Sequence, residues 1–113
     1  SDIITLHIAL NEETRNFITA KEIDMMKPSA IIINAARGPI INTNDIAEAL
    51  RNGRISGAAL DVFDKEPPLD KSNPLLNLPN TMLMPHSGFA TEEAFELRLG
   101  IVVKNVEKFV SAC

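Results

Sequence analysis

Apolar positions in this chain fall into four short runs separated by segments with helical spacing. Ile3 to Ile8 (IITLHI) is β-branched and nearly continuous in apolar character, as strands of a covered parallel sheet are. Ala30–Asn34, Ser56–Phe63 and Thr81–Met84 read the same way, the third rich in glycine and alanine where a helix must pack closely. Thr19 with Glu22 forms a capping box, so a short helix is predicted through Ile23 and Met26, stopped by Lys27-Pro28. Asn42, Thr43 or Asn44 can cap the next helix, whose Ile46, Ala49 and Leu50 share a face and whose end is marked by Gly53.

Residues 63 to 80 carry Pro67, Pro68, Pro74 and Pro79 with no period of their own, and loops this long inside compact domains are usually functional. Thr91 then caps a long helix, with Glu92 and Glu93 at the positive end of its dipole. Phe95, Leu99, Val102, Val106 and Phe109 recur there at steps of four, three, four and three, one apolar seam. Leu97, Ile101, Val103 and Val110 widen it beyond what four strands can cover, so a further domain or a second subunit is expected against it. The predicted fold class is α/β, a partial Rossmann-type, doubly wound parallel sheet followed by a long C-terminal helix.

Composition narrows the function classes. With 113 residues, 45% hydrophobic and 23% charged, the chain has the balance of one ordinary globular domain. Its net charge of −4 and scattered Lys and Arg argue against a nucleic-acid partner. No apolar run reaches the length of a membrane span, and no basic leader with a cleavage site opens the chain, so neither a membrane partner nor a signal peptide is expected. Cys113 stands alone, which excludes an intrachain disulfide and fits a cytoplasmic setting. The chain opens almost directly in a strand, and the expectation is that it is a piece of something longer.

Three strands end on polar groups: AIIINAAR at Arg37, GAALDVF at Asp61 followed by Glu66, and TMLMPH at His86. In a parallel sheet these would converge at the carboxyl edge, where open α/β sheets bind ligands, and would put an arginine, a carboxylate and an imidazole in one cleft. A guanidinium recognises carboxylates bidentately, and an imidazole beside a carboxylate can deliver or accept a proton near neutrality. Together they suit a substrate bearing a carboxylate beside a carbonyl or hydroxyl. No nucleophile accompanies them, and two histidines on different strands make a poor metal set, so no metal is expected. His7, mid-strand, reads as a hydrogen-bonded core residue.

Met26 to Asn42 (MKPSAIIINAARGPIIN) resembles the signature segment of the D-isomer-specific 2-hydroxyacid dehydrogenases. SDIITLHIAL, LRNGRISGAALDVFDKEP and NTMLMPHSGFATEEA match in the family's order and cover nearly the whole chain. The resemblance implies an NAD-dependent oxidoreductase, with NADP also open, acting on a small 2-keto or 2-hydroxy acid as a homodimer. By it, Arg37 holds the substrate carboxylate, His86 is the acid and base, and Glu66 pairs with His86 to keep its pKa high enough for that role. Ile8, Ala35, Ala36, Arg37, Asp61, His86 and Gly88 would line the cofactor. Residues 1–90 would be the second half of a dinucleotide-binding domain, and 91–113 a helix leading back toward a substrate domain.

Ala9 stands where the family usually has proline, and Asn42 where it commonly has aspartate. No G-x-G-x-x-G is present, and in the family that turn lies upstream of the segment equivalent to residue 1. Two other readings stand beside the enzyme: an NAD-regulated binding protein like the corepressors of the same lineage, and a non-catalytic oligomeric fragment.

Overall fold

A computed structural model describes residues 1–66 and 69–112; Pro67, Pro68 and Cys113 of the sequence reading lie outside the described residues. Four parallel strands form one sheet in the order β1 (Ile3–Leu6), β2 (Ile31–Asn34), β3 (Gly57–Leu60) and β4 (Thr81–Leu83). Helix α1 (Ala20–Ile23) joins the first two strands and α2 (Thr43–Arg51) the next two. Each crossover steps one strand in the same direction, so a common right hand puts both helices on one face, where they pack against each other. This is one winding direction of a Rossmann-type sheet.

The registers explain the core. Leu6, Asn34 and Leu60 stand in one row, and Ile4, Ile32 and Ala58 in the row two residues earlier, all on the face beneath the helices. Ile23, Ile46 and Leu50 close over them. The opposite face carries Ile3, Ile31 and Met82, all exposed. The strands therefore read as two-sided from sequence while only one side is covered, and β1 is an edge strand.

Several boundaries differ from the sequence reading. β1 ends at Leu6 rather than Ile8, and β3 spans Gly57–Leu60 rather than reaching Phe63. Pairing stops where the chain must turn away at the carboxyl edge. His7 is consequently exposed, beyond the strand, with its Nε2 2.9 Å from the Thr5 hydroxyl, and is not a core residue. The capping box of α1 is present: the backbone N–H of Thr19 donates to the Glu22 carboxylate at 3.0 Å, and the Thr19 hydroxyl donates to it at 2.6 Å. Asn42 caps α2 by accepting from the N–H groups of Asn44 and Asp45. That is a task aspartate also performs, so the departure from the family pattern costs the helix nothing.

Helix α3 (Glu92–Ser111) is capped by Thr91, which accepts from the Ala94 N–H at 3.1 Å. None of its residues is buried. The seam from Phe95 to Phe109 is at least 55% exposed at each of its five positions. The helix gives the molecule an extent of 60 Å along one axis against 28 and 24 Å along the others.

Candidate active site at the carboxyl edge of the sheet

Leu6, Asn34, Leu60 and Leu83 form the last paired row, so the segments that follow them emerge side by side. After β2 comes a turn, Ala35-Ala36-Arg37, secured from below by Asn34. That side chain is 1% exposed, its Oδ1 accepting from the Ala36 N–H at 3.0 Å and its Nδ2 donating to the Arg37 carbonyl at 2.9 Å. A buried amide thus satisfies two backbone groups that would otherwise be orphaned. Arg37 is exposed and donates from Nη1 to the Ala36 carbonyl at 2.6 Å, leaving its other donors free for a ligand. A short 3-10 turn, Gly38–Ile40, follows, which the sequence pattern does not announce.

After β3, the Asp61 carboxylate accepts the N–H of Ser87 at 2.8 Å and that of Gly88 at 2.7 Å. A Cβ at position 88 would stand 2.9 Å from Asp61 Oδ2, so glycine is what permits this approach. Further along, Glu66 accepts from the Phe63 N–H through Oε1 and meets His86 Nδ1 through Oε2 at 2.5 Å. Against a carboxylate acceptor Nδ1 carries the proton, which leaves Nε2 as the ring nitrogen available to a ligand. The Glu66 side chain is 23% exposed and that of His86 41%, so the pair is sheltered and still reachable. His86 has φ of +57°, the left-handed region, held there by the Asp61 grip on the next two N–H groups.

Two hollows lie along this edge. His7, Ile8, Ala9, Leu10 and the Ala35–Arg37 turn line one of about 520 Å³. The other, about 540 Å³, is bounded by Glu66, His86, Phe89, Met84 and apolar residues of the long connection such as Leu76. Arg37 and His86 thus belong to different hollows and make no contact, while Glu66 and His86 are in direct contact. Their strands are two apart in the sheet, which separates the two stations by about 10 Å across the strands. The expected single cleft is thus two hollows on one sheet edge, because the strand carrying Asp61 lies between those that lead to Arg37 and His86.

A third hollow lies in the helix layer between α1 and α2, lined by Asp24, Asp45, Glu48 and Arg54, the last paired to Asp24 at 3.3 Å. Among the described residues no group of three or more His, Cys, Asp or Glu is arranged to hold a metal, and no helix is long and apolar enough to cross a membrane.

Sequence reasoning missed Asn34 and Gly38. The first could be noted in sequence only as a polar residue closing an apolar strand, since the strand itself does not say which face is covered. The second has no local signal: a Cβ there would meet the Phe63 carbonyl carbon at 2.1 Å, a contact between segments 25 residues apart.

A parallel sheet whose carboxyl edge carries a small-residue turn, a carboxylate gripping two amides and a carboxylate–imidazole pair is built as a dinucleotide-binding domain. The sequence profile of the D-isomer specific 2-hydroxyacid dehydrogenase NAD binding domain matches residues 1–88, and the chain belongs to that family. D-3-phosphoglycerate dehydrogenase from Methanocaldococcus jannaschii is 47% identical over 108 residues, covering 96% of this chain and 20% of that protein. Glyoxylate reductase from Thermococcus litoralis is 46% identical over 109 residues, covering 96% of this chain and 32% of its own.

Among solved structures, the NAD complexed form of the D-isomer specific 2-hydroxyacid dehydrogenase from Lactobacillus delbrueckii ssp. bulgaricus superposes with a TM-score of 0.86 at 31% identity. It covers 99% of this chain and 38% of that one. An acyclic imino acid reductase in complex with NADPH and D-Arg superposes with a TM-score of 0.88 at 36% identity, covering 99% of this chain and 35% of its own. The chain spans between a fifth and two-fifths of the length of these relatives.

The hollow beside the Ala35–Arg37 turn has a size and lining that would fit part of such a cofactor. Ala35 and Ala36 offer only methyl groups beside a hollow of ligand size, so a flat ring can approach the backbone.

Proposed function

We propose that this chain supplies the second half of the cofactor domain, residues 1–90, and the acid/base pair of an enzyme that interconverts a 2-keto acid and a D-2-hydroxy acid. NAD, when bound, supplies or accepts the hydride, and NADP is the other candidate. Arg37 holds the substrate carboxylate through paired, charge-assisted hydrogen bonds and polarises the neighbouring carbonyl. His86 presents Nε2 to the carbonyl oxygen, donates its proton during reduction and takes it back during oxidation. Glu66, bound to Nδ1, fixes the tautomer and stabilises the imidazolium. Ile8, Ala35, Ala36, Asp61 and Gly88 line the cofactor beside Arg37 and His86.

The observation that carries this reading is the 2.5 Å contact between His86 Nδ1 and Glu66 at the carboxyl edge of a parallel sheet. The uncovered seam of α3, residues 91–113 in the sequence division, supports assembly as a homodimer with the helix running toward a substrate domain. The single cysteine supports a cytoplasmic setting. In the complete enzyme, His86→Gln is expected to lower kcat by about a hundredfold or more. The dissociation constant for NADH, read from its own fluorescence, should stay unchanged. Undiminished keto-acid reduction by that variant overturns the reading.

A further inference from the structure

Phe89, which borders the hollow beside His86, meets Phe95 and Arg98 there, and none of the three is given a role in the reaction above. The Phe89 ring lies 6.0 Å from the His86 imidazole, centroid to centroid, at an interplanar angle of 82°. On its other contacts it meets Phe95 at 6.2 Å and 70°, and the Arg98 guanidinium carbon stands 5.2 Å from its centroid. Phe95 and Arg98 are three positions apart on α3 and so share a face of that helix.

We propose that Phe89 is a positioning residue for the His86 imidazole, anchored in turn by Arg98 and Phe95 of α3. The inference rests on His86 being the acid and base. The hydrogen bond at Nδ1 restrains the ring along one edge, and the Glu66 carboxylate on its loop can follow small rotations about the His86 Cβ–Cγ bond. Neither the left-handed backbone at His86 nor the Asp61 grip on Ser87 and Gly88 acts on the ring plane. An edge-to-face aromatic contact does, because it favours perpendicular planes over others. Phe89 is itself 47% exposed and would be mobile alone; a cation over the ring and a second perpendicular ring hold it. The first two turns of α3 are thereby linked to the orientation of Nε2, the atom that reaches substrate.

The test uses the complete enzyme with NADH and the best keto acid found for it. Phe89→Leu is expected to lower kcat by about threefold to tenfold. The loss should lie mainly in kcat, with at most a smaller rise in the KM for the keto acid from the altered wall of the hollow and no change in the affinity for NADH, because positioning acts on the proton-transfer step. Phe89→Tyr, which keeps the ring, should restore most of kcat. Arg98→Gln, on an exposed helix surface where folding is safe, should lower kcat by about twofold. The double variant Phe89→Leu/Arg98→Gln should be no slower than Phe89→Leu alone, since both changes break one chain of contacts.

An unchanged kcat in Phe89→Leu overturns the proposal. So does a loss carried wholly in KM, which would make Phe89 a substrate wall, and so does full additivity of the two losses. His86→Gln run in parallel separates the cases: if it retains turnover, the acid/base reading has failed, and if it is inactive while Phe89→Leu is normal, only the positioning role has.

Discussion

Gly38 lies directly against the backbone of Phe63: a methyl group at residue 38 would fall 2.1 Å from the Phe63 carbonyl carbon and 2.3 Å from its oxygen. The residue after the Arg37 turn is thus packed on the segment whose N–H grips Glu66. Gly38→Ala must push these two segments apart, and backbone cannot rotate away as a side chain can. The expected cost is about 1–3 kcal/mol of stability. It should be visible as a lower urea midpoint with unchanged slope, and keto-acid turnover should fall with it because Glu66 moves.

Arg37→Lys keeps the charge and removes the planar fork. The KM for the keto acid should rise by about tenfold or more, with a smaller fall in kcat from weaker polarisation. NADH affinity should hold. Steady-state kinetics with a short keto acid such as glyoxylate checks the split, and equal kinetics in the two proteins would remove Arg37 from substrate binding.

Asp61 holds two consecutive amides of the His86 turn, one on each oxygen. Asp61→Asn leaves one acceptor and turns an NH2 toward the other donor. The loss is expected at about 1–3 kcal/mol, the penalty of an unsatisfied polar group. Amide exchange at Ser87 and Gly88 should accelerate specifically, which NMR can follow, while exchange in β2 is affected only through global stability.

The capping box predicts an acid response with a definite sign. The Thr19 hydroxyl, and after it the Thr19 backbone N–H, hold the Glu22 carboxyl below its ordinary value of 4.5. A carboxylate with a lower pKa in the folded state contributes stability that is complete above the unfolded value. That contribution is lost as pH falls through the folded one. Denaturation midpoints of Glu22→Gln and the parent should therefore converge as the pH drops below the carboxylate range, and differ at neutrality. Parallel curves through that range would show that the box adds nothing. Asp70, held down by the Ser72 backbone N–H and hydroxyl, responds in the same direction in both proteins and cancels from their difference.

What could be read from the chain alone followed local physics. Asn42 and Thr91 announce helix starts because their side chains satisfy amides two or three residues away, and the seam from Phe95 to Phe109 announces α3 by spacing alone. Arg37, Asp61 and His86 could be placed at one edge because parallel strands must point the same way. The missing parts depend on contacts across the fold. Gly38 is explained only by Phe63, and the exposure of His7 only by where β1 stops pairing. The apolar strands cannot say which of their two faces is covered, so Ile31 and Ile32 look alike in sequence although one is exposed and the other fully buried. That Arg37 and His86 line separate hollows is likewise a matter of strand spacing, which no run of residues records.

The outlying position of α3 has a hydrodynamic consequence. A compact chain of this length has a radius of gyration of about 13 Å, whereas this one has 17.7 Å, because a rod about 30 Å long stands clear of the sheet. Small-angle scattering from the 113 residues alone, as a dilute monomer, would register the larger value, and this stretch by itself would tumble and diffuse as slowly as a considerably heavier sphere.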